Sequence, residues 1–380
     1  MVVVFSERNS NEMLKVLVIQ ATVFGMDGIS SVVTNYYLYK NHNEVKMDIL
    51  TINPVSEKLD KEMSIHGDHN YILPFRNKKP IKYVTTLKEI IRKNGYQIVH
   101  VHGCSATLFV EMFAAKLSGI QIRIAHSHNT TCDHVKIDKI LRPFFLCLCT
   151  DAFACGLEAG KWLFNGRMFK IISNGIDIQR FCYNESVRKE FREKYGLENK
   201  LVIGHVGRFR EQKNHRKLIE IFEAFCQKRK NGKLLLIGDG VLKKEIEEIA
   251  KKKSLDVLFV GLSNEVERWF QTMDVMVFPS LYEGLPMGII EAQATSLPCL
   301  LSNTISPMTA ITDWVQFIDL NANTDVWVQK ILEIDISKRK THQVLVEQQI
   351  KKAHFDIRDN CKRMESIYKM MIDKSKRAAQ

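Results

Sequence analysis

The sequence predicts two doubly wound parallel α/β domains. Short apolar, β-branched runs alternate with helix-period stretches along most of the chain, the pattern of parallel sheets wrapped by crossover helices. The pattern breaks once, at the turn signal Ser173-Asn174-Gly175-Ile176-Asp177, and then restarts. The length of 380 residues fits two domains of roughly 100–200 residues each, able to bury cores without disulfides or metal. With 45% apolar and 26% charged residues, disordered and fibrous classes are excluded.

In the first half, strands are expected at Lys15–Gln20, Met47–Ile52, Tyr71–Pro74, Gln97–Gly103, Gln121–His128, Ala152–Gly156 and Phe169–Ser173, with amphipathic stretches such as 81–94 and 105–118 between them. After a polar helical stretch near 185–195, the second half offers strands at Leu201–Gly207, Lys233–Gly238, Val257–Gly261, Val275–Ser280, Pro298–Asn303 and Val315–Leu320. Charged helices at 214–230, 241–253 and 264–271 separate them. From 321 to 380 the pattern is helical, without Pro or Gly. On pattern alone, a terminal helix there suits either domain.

The formal charge of +12 has two sources. Residues 71–100 hold seven basic and one acidic residue, and 351–380 hold nine and four. No zinc-finger spacing, basic zipper or aromatic-studded basic strand accompanies them, so no nucleic-acid partner is expected. Nine cysteines without framework spacing indicate reduced thiols, mostly buried, and a cytoplasmic address. Cys147, Cys149 and Cys155 read as small hydrophobes rather than a zinc site. The N-terminal Met-Val-Val-Val-Phe is too short for a signal-peptide core, and no run reaches the 18 or so apolar residues of a membrane span.

Chemistry belongs at the carboxyl ends of the strands, where helix N-termini and glycine turns offer N–H donors to anions. Two segments sit there. In Gly204-His205-Val206-Gly207-Arg208-Phe209-Arg210-Glu211-Gln212-Lys213, Gly207 lets the chain turn, and Arg208 and Lys213 leave the turn just before a helix. Two cations there suit a diphosphate; a solvated basic loop is the alternative. In Tyr282-Glu283-Gly284-Leu285-Pro286 through Glu291-Ala292-Gln293, one carboxylate sits in the turn and the other within the following helix. A carboxylate accepts from vicinal sugar hydroxyls, and the Gly284–Met287 amides can meet hydroxyl or phosphate oxygens. The alternative is a helix-terminal charge at Glu283 and a solvent face at Glu291.

These two motifs, with Glu-x7-Glu between strand and helix, resemble the donor domain of family 4 retaining glycosyltransferases of the GT-B fold. The wording elsewhere is similar to the capsular and exopolysaccharide branch: Ile98-Val99-His100-Val101-His102-Gly103, Arg123-Ile124-Ala125-His126-Ser127-His128-Asn129, Lys161-Trp162-Leu163-Phe164 and Asn174-Gly175-Ile176-Asp177. The resemblance runs from about Leu14 to about Leu320. It implies an acceptor domain over 1–178, a donor domain over 179–355, a cleft between them, and a helix over 356–380 returning to the first.

By the same resemblance, Arg208 and Lys213 bind the donor diphosphate, Glu291 holds the ribose and Glu283 contacts the transferred sugar. Gly207, Gly284, Leu285 and Pro286 line the nucleotide-sugar. The Gly25-Met26-Asp27-Gly28 loop lies beside diphosphate and acceptor, although family members often carry adjacent glycines there. His128, or failing that His126, stands near the anomeric centre; strand capping is the alternative, and a structural role is the alternative for His100. The implied activity is retaining transfer of a hexosyl or N-acetylhexosaminyl group, UDP-linked, to a lipid-linked saccharide. The chain contains no Asp-x-Asp, so no metal and no other cofactor is expected, and the cations and helix dipoles stabilise the leaving group. The basic segment 71–100, with Ile81, Val84, Leu87 and Ile90/Ile91 at helical spacing, fits an anionic membrane surface, hence a peripheral location at the inner face of the cell membrane. Two rivals stand: a nucleotide-sugar 2-epimerase of the same fold, disfavoured by the Glu-Gly-Leu-Pro block, and a non-catalytic nucleotide-sugar-binding module. A dinucleotide oxidoreductase lacks its Gly-x-Gly-x-x-Gly.

Overall fold

A computed structural model describes residues 13–25, 27–132 and 134–378. The expectations placed on the N-terminal Met-Val-Val-Val-Phe and on Met26 lie outside the described residues. The chain forms two compact units, one of residues 1–175 with 357–380, the other of 176–356.

The first unit is built on β1 (Leu14–Gln20), β2 (Val45–Thr51), β3 (Asn70–Ile72), β4 (Ile98–Gly103), β5 (Ile122–Ser127), β6 (Asp151–Ala154) and β7 (Lys170–Ile171). All pair in parallel in the order β3-β2-β1-β4-β5-β6-β7. Its helices are α1 (Gly28–Tyr39), α2 (Glu57–Ile65), α3 (Pro80–Asn94), α4 (Phe109–Leu117), α5 (Val135–Leu148) and α6 (Leu157–Phe164). One sheet face packs on α1 and α2, the other on α3 to α6, which is why the central strand β1 reads as a continuous apolar run from Val16 to Ile19.

The second unit carries β8 (Leu201–Val206), β9 (Gly232–Ile237), β10 (Val257–Gly261), β11 (Val275–Phe278), β12 (Cys299–Ser302) and β13 (Val315–Ile318) in the parallel order β10-β9-β8-β11-β12-β13. Around them lie α7 (Ile178–Phe181), α8 (Glu185–Lys194), α9 (His215–Lys228), α10 (Lys243–Lys252), α11 (Val266–Thr272), α12 (Met287–Ala294), α13 (Thr324–Leu332) and α14 (Arg339–Lys352). Each sheet reverses its winding once, at β1/β4 and at β8/β11, and such a switch point opens a crevice at the strands' carboxyl ends.

The last helix, α15 (Ile357–Ala378), belongs to the first unit. Ile357, Cys361, Met364, Tyr368 and Ile372 recur at helical spacing and complete the core beside Val16, Val18 and Tyr37. Asn360 Nδ2 donates to Ser173 O at 3.1 Å, and Lys369 pairs with Glu44 at 2.5 Å.

Two surface expectations change. In α3 the buried line is Tyr83, Leu87 and Ile91, while Ile81 is 80% exposed. Arg76 is not a loose surface cation: it donates to both oxygens of fully buried Glu111 and to Thr107 Oγ1. Among the thiols, Cys149 and Cys155 are buried but Cys147 is exposed, so one of the three expected small hydrophobes faces outward.

Candidate active site

In the second unit the two motifs meet at the β8/β11 switch point. β8 ends at Val206, and Gly207 N donates to Ile237 O at 2.9 Å as the chain turns away. Arg208 is exposed, and Glu211–Lys213 form a single 3₁₀ turn that closes with Asn214 in the left-handed region, φ +52°, before α9 begins. Across the switch, β11 runs into the 279–286 turn and then α12. Leu281 N donates to Gln212 O at 2.8 Å and Gln212 Nε2 donates to Tyr282 O at 3.1 Å, fastening one motif to the other.

The result is ionic contact between two residues 70 apart in sequence: Lys213 Nζ lies 2.5 Å from Glu283 Oε1 and 4.7 Å over the Phe278 ring. Both side chains are mostly buried. A cation held by a single carboxylate at a strand end keeps donors for a diphosphate, and the same carboxylate keeps acceptor capacity for a hydroxyl. Gly284 is exposed, Leu285 and Pro286 are half-buried, and Pro286 caps α12.

Glu291 sits one turn into α12. The residue keeps an exposed edge, yet its carboxyl is packed deeply enough that burial pushes its pKa from 4.5 up to about 7; nearby Arg180 opposes the rise and Glu267 adds to it. At neutral pH this acid titrates easily.

Three features of this site escaped sequence reasoning. Gly238 follows β9 with φ +139°, and a Cβ there would stand 2.1 Å from Gly207 O, so the turn carrying Arg208 rests on backbone with no room for a side chain. His205 is buried with Nδ1 2.9 Å from Val277 O and no partner among the described residues for Nε2, which lies 3.2 Å from where a Gly207 Cβ would be. His215 stacks on Phe209 at 4.1 Å with both ring nitrogens lacking partners among the described residues. A left-handed glycine after a strand is weakly visible in sequence; the histidines are not.

In the first unit, Gly28 opens α1 behind Asp27, whose Oδ1 accepts from Ile29 N and Ser30 N at 3.0 and 3.1 Å. Two donors of this helix start are thus already taken by a carboxylate. His100, His102, His126 and His128 gather at the carboxyl ends of β4 and β5, adjacent strands in register. His102 Nδ1 is 2.8 Å from His128 Nε2, His100 Nε2 is 3.2 Å from His126 Nδ1, and His100 Nδ1 is 2.6 Å from Tyr368 Oη. Burial lowers all four pKa values, those of His100 and His128 to about 3. His100, His102 and His126 each bring a ring nitrogen within 4.8 Å of the others, which is metal-like spacing. Both ring nitrogens of His100, however, are already engaged, Nε2 by His126 and Nδ1 by Tyr368, and one nitrogen of His126 is engaged with it.

A cavity of about 560 Å³ opens at the opposite end of the second sheet, lined by Arg188, Arg192 and Lys200. Its arginines donate to backbone carbonyls at 272 and 273 and to Asp274, so their donors serve the fold.

Residues 187–352 match the family described as glycosyl transferases group 1. EpsF of Bacillus subtilis, named as a glycosyltransferase, is 31% identical over 365 residues, covering 91% of this chain and 94% of EpsF. The chain belongs to the group 1 glycosyltransferases. A second relative, the Escherichia coli UDP-Gal:α-D-GlcNAc-diphosphoundecaprenol α-1,3-galactosyltransferase, is 28% identical over 59% of this chain and 62% of its own length. Among solved structures, Anabaena HepE in complex with UDP-glucose matches with a TM-score of 0.74 over 94% of this chain and all of HepE, at 14% identity. That identity speaks to fold alone, and the fold is GT-B. In this glycosyltransferase the carboxylates and cations expected of the donor side, Arg208, Lys213, Glu283 and Glu291, are all carried by one switch point.

Proposed function

We propose that this glycosyltransferase moves a hexosyl or N-acetylhexosaminyl group from a UDP-sugar to a lipid-linked oligosaccharide during synthesis of an exported or capsular polysaccharide, with retention and without metal. The observation that carries the reading is the Lys213–Glu283 contact: a diphosphate-binding cation and a hydroxyl-binding carboxylate 2.5 Å apart at a switch point. The E. coli relative's name, a UDP-galactose donor and a diphosphoundecaprenol-linked acceptor, supports the two substrate classes.

In this reading Arg208 and Lys213 neutralise the departing diphosphate, with Gly207 and the 284–286 turn giving backbone access and Gly28 flanking the acceptor. Glu291 accepts from the ribose hydroxyls and Glu283 from the sugar. The acceptor oxygen forms a bond to C1 on the face the diphosphate leaves. The C1–O pair departs with the diphosphate, and the acceptor proton goes to a diphosphate oxygen. No protein nucleophile is needed; His128 orients the sugar at the reacting carbon. The charge development falls on preorganised donors, where each can be worth about 10²–10³ in rate.

The acceptor's lipid implies a membrane face, for which α5 is a second candidate. Besides Lys82, Lys88 and Lys93 of the 71–100 segment, α5 buries Phe145 and Leu148 on one side and turns Ile137, Ile140 and Phe144 outward, 50%, 68% and 59% exposed. Lys136 and Lys139 flank that stripe. Exposed apolar side chains at helical spacing beside lysines fit an anionic lipid surface. No described helix is long and apolar enough to cross a membrane.

The experiment is a thermal-shift and donor-hydrolysis screen of nucleotides. UDP and a UDP-sugar should stabilise the protein, without added metal and with chelator present, while GDP and NAD should not. Stabilisation by NAD alone, or a strict metal requirement, would remove the reading.

A further inference from the structure

Beyond these assignments, the four histidines of the first unit form two hydrogen-bonded pairs. His102 with His128 is the outer pair; His100 with His126 is the inner one, backed by Tyr368 from α15. Desolvation keeps the rings uncharged at neutral pH, and a neutral imidazole has one N–H and one lone pair. The 2.8 Å contact between His102 Nδ1 and His128 Nε2 therefore holds a single proton. Two protons there would clash, and none would leave two lone pairs facing. Whichever ring owns that proton, the state of His128 Nδ1 is its complement. That Nδ1 is buried and has no hydrogen-bond partner among the described residues. An orphaned polar atom of this kind is destabilising unless a ligand satisfies it.

We propose that His102 is a positioning residue, which by its hydrogen bond to His128 Nε2 fixes the ring orientation in which His128 Nδ1 meets the sugar-bearing substrate and ties the tautomer of His128 to its own. The proposal rests on the role given above to His128. The inner pair supports the outer through ring stacking, His100 on His102 at 4.4 Å and His126 on His128 at 4.3 Å. Tyr368 ties that stack to α15.

The test uses the full-length enzyme with His102→Leu, which keeps bulk but removes the hydrogen bond, and His102→Asn, whose amide can replace Nδ1. Long-range imidazole ¹⁵N–¹H spectra read the tautomer directly, with the His128 signals assigned by their loss in His128→Ala. His102→Leu should show mixed His128 tautomers and a kcat lowered on the order of tenfold, the scale of a misplaced orienting group, with donor KM unchanged. His102→Asn should restore a single tautomer and most of kcat. A single wild-type tautomer in His102→Leu overturns the proposal, as does a kcat loss that His102→Asn shares fully while its tautomer is intact. Full kcat in His128→Ala overturns the role of His128 instead, since the tautomer lock would still be visible in the spectra.

Discussion

The proposed role of Glu291 at the ribose makes nucleotide affinity sensitive to pH in a way that can be calculated. Burial raises its pKa from 4.5 to about 7 in the unliganded protein. Ribose hydroxyls donating to the carboxylate favour the ionised form, so nucleotide binding should return the group toward the ordinary carboxylate range and release a proton. One pKa unit is about 1.4 kcal/mol, so the coupling approaches about 3 kcal/mol. Between pH 8 and pH 5 the UDP dissociation constant should rise roughly fifty- to a hundredfold through this group alone. Calorimetric titration with UDP at several pH values, in buffers of different ionisation enthalpy, measures both the affinity and the proton count. The phosphate of UDP also titrates in this range, so the quantity to read is the difference between wild type and Glu291→Gln, in which only the protein's group is removed. The same group works in the opposite sense on the unliganded fold. Its folded pKa lies above its unfolded value, so its stabilising contribution is present below about pH 4.5 and lost as pH rises through about 7. The unliganded Tm should drift down over that window in wild type and not in Glu291→Gln. Identical pH dependence of UDP affinity in the two proteins would refute the assignment of Glu291 to the ribose.

Lys213→Ala should lower kcat by about 10²–10³, and Glu283→Gln should restore none of it, since the loss lies in diphosphate stabilisation rather than in an unpaired carboxylate; steady-state kinetics on a nucleotide-sugar check this. Gly238→Ala forces a Cβ against Gly207 O at positive φ, and strain of roughly 1–3 kcal/mol should lower Tm by several degrees while weakening UDP binding, measured by thermal shift with and without nucleotide. Ile140→Glu with Phe144→Glu should cut co-sedimentation with anionic liposomes severalfold and leave hydrolysis of a soluble donor unchanged. Equal sedimentation of wild type and double variant would dismiss α5 as the lipid-facing element.

The strands at the centres of the two sheets were legible because they are short, apolar and buried on both faces, so each run stands out against charged helices, whereas the edge strands β3, β7, β10 and β13 are partly exposed and stood out by their place in the alternation. The packing partner of 357–378 was legible from the family resemblance and not from the pattern. The stripe Ile357, Cys361, Met364, Tyr368 and Ile372 announces a buried helix face but carries no address, since any apolar sheet face would accept it. Similarly α3 could be recognised as amphipathic, yet periodicity did not separate Ile81 from the true core line Tyr83, Leu87 and Ile91, because the β-branched residues on both flanks blur the stripe's edge.

The site divides along the same line. Arg208, Lys213 and Glu283 stood out in the sequence as candidates because each follows a strand in a glycine turn, a local pattern that reports backbone geometry, and Glu291 stood out by its spacing from Glu283. What gives them chemical character is not local. Lys213 meets Glu283 only because β8 and β11, separated by the whole of α9, β9, α10, β10 and α11, are neighbours at the sheet's point of reversal. Glu291 titrates near neutrality because of how deeply α12 packs, a quantity absent from any window of sequence. The histidines show the same limit more sharply: alternation along β4 and β5 places His100 with His102 and His126 with His128 on one face each, but register decides which ring faces which. A slip of one residue between β4 and β5 would turn one pair to the opposite face. The proton shared by His102 and His128 is thus a property of strand pairing.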